Sequence, residues 1–184
     1  MKIAIWNVMN GMGSSQQIEL FKSLCVDLAI LPELKYKNID GLNPKDAVWI
    51  TNNFSNKTPK GLGVLSFNDT SLRELPRDED MEIYIPITVK HPNYAFDLLA
   101  VWNFYFACKR GRFKGVKGDG CLEWSAIRKY TKELNSNCLL AEIGVLDQRF
   151  RRPNLFVCVK CTKMLGLRAF IIKPTICSGL KVVI

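Results

Sequence analysis

Few residues in this chain have the type and spacing to do chemistry. Glu33 directly follows Pro32 and the nearly all-apolar run Val26 to Leu31, so it places a carboxylate at the carboxyl end of an expected strand. Cys158 and Cys161, with Cys177 downstream, make half of a zinc site, but a complete structural site takes four ligands and there is no second cysteine pair or nearby histidine. The same pair lacks the setting of a thioredoxin-like redox motif and reads as buried or incidental thiols. His91, the only histidine, precedes Pro92 in a turn and reads as an exposed loop residue. Gly11-Met12-Gly13 lacks the rest of a phosphate loop and reads as a turn. The stretch from Trp102 to Phe106 through Lys109, Arg110, Arg112, Lys114 and Lys117 has the aromatic and basic groups to grip a phosphodiester backbone, although a core strand followed by a solvated loop explains it more simply.

These groups need elements to position them. Met1 to Val8 reads as a buried strand ended by the turn residues Asn10-Gly11 and Gly13. Ser14 with Gln17 is a capping-box pattern, and Ile18, Phe21 and Leu24 recur at helical spacing, so a helix is expected from about Ser15 to Leu24. The strand Val26 to Leu31 then delivers Glu33. Lys35 to Lys60 reads mostly as loop around a short strand at Ala47 to Thr51, followed by a strand over Gly61 to Phe67. Arg77 to Asp80 is a charged turn. Glu82 to Val89 and Tyr94 to Phe106, separated by His91-Pro92-Asn93, form a hairpin. A loop at Lys109 to Gly120, a helix at Leu122 to Leu134 and a strand at Cys138 to Ala141 follow.

A chain of 184 residues with no long apolar run fits one compact core, no membrane span and no secretory signal. Its seven cysteines are an odd number and sit largely in apolar stretches, which argues for a reducing, intracellular compartment and against a disulfide framework. Oligomeric state is not encoded legibly. Charge divides the chain: residues 1–100 carry 10 Lys/Arg against 12 Asp/Glu, and residues 101–184 carry 16 against 5. The second part is therefore near +11, as on a face that meets a polyanion or on an ordinary solvated basic surface. Asp147 is the last acidic residue and eight Lys/Arg follow it.

Lys2-Ile3-Ala4-Ile5-Trp6-Asn7 resembles the first motif of endonuclease/exonuclease/phosphatase proteins, and Asp27-Leu28-Ala29-Ile30-Leu31-Pro32-Glu33-Leu34-Lys35 resembles their second. Lys60 to Ser66 and Asp97 to Trp102 look like two later strands of the same family. The resemblance implies an α/β sandwich of two face-to-face sheets with helices outside, incomplete at its C-terminus. It also implies Mg²⁺ or Mn²⁺ held by Asn7 and Glu33, since a hard cation takes one or two carboxylates plus phosphate oxygens, and an amide adds orientation without charge. Asn7 and Glu33 are accordingly the expected catalytic residues of a metal-dependent phosphodiester hydrolase directed at nucleic acid.

The resemblance covers about residues 1–141, with residues 142–184 an atypical basic tail of the kind a shifted reading frame would produce. After the strand Cys138 to Ala141 the family continues Gly-Asp-Phe-Asn, whereas this chain continues Glu142-Ile143-Gly144-Val145. The family's final Ser-Asp-His has no counterpart, because His91 is the only histidine. A second reading therefore stands beside the hydrolase: an inactive remnant or a nucleic-acid-binding protein.

Overall fold

The computed structural model describes residues 1–9, 11–51, 59–78, 84–103, 137–144, 157–161 and 180–183. Strand β1 is Ile3–Trp6, helix α1 is Ser15–Ser23, β2 is Leu28–Lys35, β3 is Asp46–Thr51 and β4 is Lys60–Ser66. Then come β5, Ser71–Glu74; β6, Tyr84–His91; β7, Tyr94–Asn103; β8, Asn137–Gly144; β9, Val157–Cys161; and β10, Leu180–Val183. They form two five-stranded sheets, in the orders β10-β1-β2-β4-β3 and β5-β6-β7-β8-β9. β1 runs parallel to β2 and β7 parallel to β8, while every other pairing is antiparallel.

Because side chains alternate across a strand, the apolar runs of β1 and β2 serve two layers at once. Ile3, Ile5, Leu28 and Ile30 face inward and join Val64, Ile87, Val89 and Leu98 in the core between the sheets. Ala4, Trp6, Ala29 and Leu31 face outward and pack with Phe21 of the helix. Phe21, the one buried residue of α1, lies 6.4 Å from Trp6 and 5.6 Å from Phe67 between ring centroids. The arrangement is the expected α/β sandwich with a helix on the outside of one sheet.

The helix begins as the capping pattern predicts, with the Ser14 side chain accepting from the Gln17 N–H, and it ends one residue early at Ser23. The hairpin also forms, with His91 opposite Tyr94 across the Pro92-Asn93 turn. The edge strand β5 is not foreseen, since its four residues, Ser71-Leu72-Arg73-Glu74, carry too little alternation to stand out. Part of the region expected as loop after Lys35 is two short 3₁₀ turns, Tyr36–Asn38 and Asp40–Leu42. The expected loop at Lys109 to Gly120, the helix at Leu122 to Leu134, Cys177, and Glu79 and Asp80 of the charged turn lie outside the described residues. No described helix is long and apolar enough to cross a membrane.

Candidate functional site

The topology of the first sheet brings three strand ends together. β1 and β2 are adjacent and parallel, with Ile3 opposite Leu28 and Ile5 opposite Ile30, so their carboxyl ends point the same way. β4 runs antiparallel to β2, with Lys35 opposite Lys60, so its first residue reaches that same end. Asn7, Glu33 and Lys60 therefore converge although 26 and 27 residues separate them in sequence.

The backbone at Glu33 departs from a regular strand. Glu33 lies near the carboxyl end of β2 but two residues inside it, on a bulge where the register against β4 jumps from Pro32–Leu62 to Leu34–Gly61. The extra residue takes the left-handed backbone conformation, φ 64°, which costs a non-glycine residue of order 1–3 kcal/mol. Neighbouring bonds hold it there: the Val8 N–H donates to the Pro32 carbonyl at 3.1 Å, and the Trp49 indole N–H donates to the Leu34 carbonyl at 2.9 Å. The bulge frees the residue from strand alternation and aims its carboxylate at the loop that follows β1.

That loop is tightly turned as well. Met9, Gly11 and Met12 all have positive φ, at 41°, 81° and 60°. The Asn7 side-chain oxygen accepts from the Met9 N–H at 2.9 Å, and the Asn38 amide donates to the Gly11 carbonyl at 2.6 Å. A methyl group on Gly11 would meet Lys35 Cγ at 2.4 Å, so the loop rests directly on the end of β2.

Within this frame the Asn7 amide donates to Glu33 Oε1 at 3.2 Å, and Lys60 Nζ pairs with Glu33 Oε2 at 2.8 Å. Lys60 also donates to the Met9 carbonyl. The Glu33 side chain is 19% exposed and that of Lys60 36%, so the pair is partly buried yet reached by solvent. The structure thus joins the two residues expected from sequence and adds a third, Lys60. Sequence offered no signal for Lys60, because its role depends on which strand pairs with β2.

Among the described residues, no group of three His, Cys, Asp or Glu side chains could hold a metal. The donor set nonetheless fits a hard divalent cation in part. Glu33 supplies a carboxylate that the Asn7 amide N–H orients, and Mg²⁺ commonly takes the rest of its oxygens from water and phosphate. What the described set lacks is a second carboxylate, and the one present already carries an ammonium partner.

His91 lies elsewhere. Its charge acts on Asp27, which immediately precedes β2, whereas Glu33 is six residues further along that strand, a span of about 20 Å. His91 Nδ1 accepts from the Asn93 N–H at 3.2 Å, and its ring sits 5.5 Å from Tyr94, which makes it part of the hairpin turn. In the second sheet, β8 continues through Glu142 to Gly144, with Val101 opposite Glu142 and Asn103 opposite Gly144. Cys158 and Cys161 fall on β9.

No family model matches the sequence, and no curated protein matches it either. Solved structures do match, and they define the class of fold as that of the endonuclease/exonuclease/phosphatase proteins. An endonuclease/exonuclease/phosphatase family protein from Bacteroides thetaiotaomicron superposes with a TM-score of 0.50 at 10% identity, covering 82% of this chain and 65% of its own. The endonuclease domain of TRAS1, a telomere-specific non-LTR retrotransposon, gives 0.50 at 7% identity, covering 77% and 57%. TDP2 from C. elegans gives 0.51 at 11% identity, covering 83% and 50%. The chain therefore spans between half and two thirds of the length of these structures.

Proposed function

We propose that the chain is a phosphodiesterase-type domain directed at nucleic acid, with Asn7 and Glu33 forming the metal end of its site. The observation that carries this reading is the contact between the Asn7 amide and the Glu33 carboxylate, 3.2 Å apart at the joined ends of β1 and β2. Positive-φ backbone flanks it on both sides, at the Glu33 bulge and at Met9, Gly11 and Met12, as strained backbone does at many functional sites. Nucleic acid is the favoured substrate because the second part of the chain carries a charge near +11 and an endonuclease domain shares this fold.

A bound Mg²⁺ or Mn²⁺ would supply Lewis-acid polarisation of the scissile phosphate and a more acidic water. Glu33 would contribute the anionic oxygen that holds the ion, and Asn7 would orient that carboxylate. Lys35 and Lys60, opposite one another across β2 and β4, would draw the phosphate in. Turnover is expected to be slow. His91 lies near the amino end of β2, and Glu142-Ile143-Gly144-Val145 stands where the family has Gly-Asp-Phe-Asn. Loss of a general base alone typically costs about 10² to 10⁴-fold in rate.

These same two features favour a second reading, a domain that binds nucleic acid without cleaving it. Nicking of supercoiled plasmid by the purified protein with Mg²⁺ or Mn²⁺, beside Glu33→Ala and an EDTA control, separates the two. The first reading expects slow, metal-dependent nicking that disappears in Glu33→Ala. Salt-sensitive DNA binding without nicking, in a protein with a cooperative melt, would replace it by the second.

A further inference from the structure

The proposed function gives Lys60 only a general pull on phosphate, yet its surroundings are specific. Its ammonium has three donors, of which one goes to Glu33 Oε2 at 2.8 Å and another to the Met9 carbonyl. It therefore bridges β4, the β2 bulge and the loop after β1, and it places a positive charge against the carboxylate assigned to the metal. Lys35 lies directly opposite Lys60 in the ladder. Like charges in directly opposed positions repel, so among the described residues Glu33 has two cations, Lys35 and Lys60, at its end of the sheet, and the pair gains from an incoming anion.

We propose that Lys60 is the resident cation of Glu33, one that a divalent metal must displace, and that the displaced ammonium, with Lys35 beside it, binds the phosphodiester entering with the metal. This rests on the reading of Glu33 as a metal ligand. Two consequences follow from charge alone. Metal added by itself competes with an ammonium already in contact with its carboxylate, so it binds weakly. Metal added with a phosphodiester binds more tightly, because the anion gives the released ammonium a new partner. Metal and phosphate then enter as a coupled pair, and the resting site takes free metal only weakly.

Mn²⁺ titrations followed by the electron paramagnetic resonance signal of free Mn²⁺ test this on the full chain, with dimethyl phosphate as the anion and a protein-free titration as the blank. Lys60→Met is expected to bind Mn²⁺ about tenfold more tightly than the wild type in the absence of dimethyl phosphate, as removal of a competing charge from a partly screened contact implies. Lys60→Arg keeps the charge and should stay weak, which separates electrostatic competition from a packing change. Dimethyl phosphate should tighten Mn²⁺ binding to the wild type and have a smaller effect on Lys60→Met. Equal Mn²⁺ affinity in wild type and Lys60→Met, with loss in Glu33→Gln, would overturn the role of Lys60 while leaving Glu33 as a metal ligand. Failure of wild type, Lys60→Met and Lys60→Arg alike to bind Mn²⁺ would overturn both.

Discussion

Each sheet contains one parallel pair of strands, and the two pairs end differently. In the first sheet, β1 and β2 run out into Asn7 and the bulged Glu33, which hydrogen-bond to each other, with Lys60 closing the cluster from β4. In the second, β7 and β8 remain in regular register through Trp102–Ile143 and Asn103–Gly144. The first end bears positive-φ backbone and converging polar side chains, while the backbone of the second is a continued ladder. Inward-facing apolar residues suffice to keep a strand in a sandwich, so a strand persists whether or not its end carries reactive groups. The comparison teaches that, among the described residues, one half of this scaffold carries both the fold and a candidate site, and that a strand's persistence is not by itself a sign of chemistry.

The most direct way to break that contrast is to remove the acid at each end. Glu33→Gln is expected to lower Mn²⁺ affinity at least about 100-fold in the presence of dimethyl phosphate, since changes to groups that merely support a metal ligand already cost 10- to 100-fold. Glu142→Gln should change it less than about twofold. Calorimetric titration of the two variants against wild type decides the matter, and a comparable loss in Glu142→Gln would move the metal site toward the second sheet.

A packing change sharpens the same contrast. Gly61, beside Lys60 on β4, has no room for a side chain: an added Cβ would meet the Ile50 carbonyl oxygen at 2.0 Å and the Trp49 ring at 2.5 Å. Trp49 is also the donor that holds the Leu34 carbonyl next to the bulge. Gly61→Ala should therefore destabilise the protein by about 1–3 kcal/mol and loosen the site with it. A urea melt unchanged from wild type would show that the strand ends are not closely coupled.

How much of this was legible in sequence depended on whether the signal was local. The apolar runs of β1 and β2, the Ser14 cap and the His91 to Tyr94 turn each carry their information within a few residues, and each formed an element. Asn7 and Glu33 were legible through motif resemblance. The bulge at Glu33 was not, because a positive φ at a glutamate runs against local preference and exists only through Val8 and Trp49 on other elements. Lys60 was hidden for a similar reason: only the pairing of β2 with β4 brings it to Glu33. The edge strand β5 depends on β6 in the same way. Sequence thus located the ends of strands better than the contacts made across them.

The smallest expected effect lies at the opposite end of β2, where Asp27 has a structural set of partners. Burial by itself would raise the Asp27 carboxyl, but the Asn68 side chain at 2.9 Å, the Lys2 N–H at 2.7 Å, the terminal ammonium and His91 together hold it below its ordinary value. A depressed folded-state value means that the ionised form stabilises the fold. That stabilisation is fully present above the unfolded value of about 3.9 and is lost as pH falls through the folded one. The wild type should therefore lose melting temperature more steeply below about pH 4 than Asp27→Asn. Asn68→Ala, which removes one of the bonds to the carboxylate, should fall between them. Parallel pH profiles for all three would show that Asp27 contributes nothing to stability through its charge.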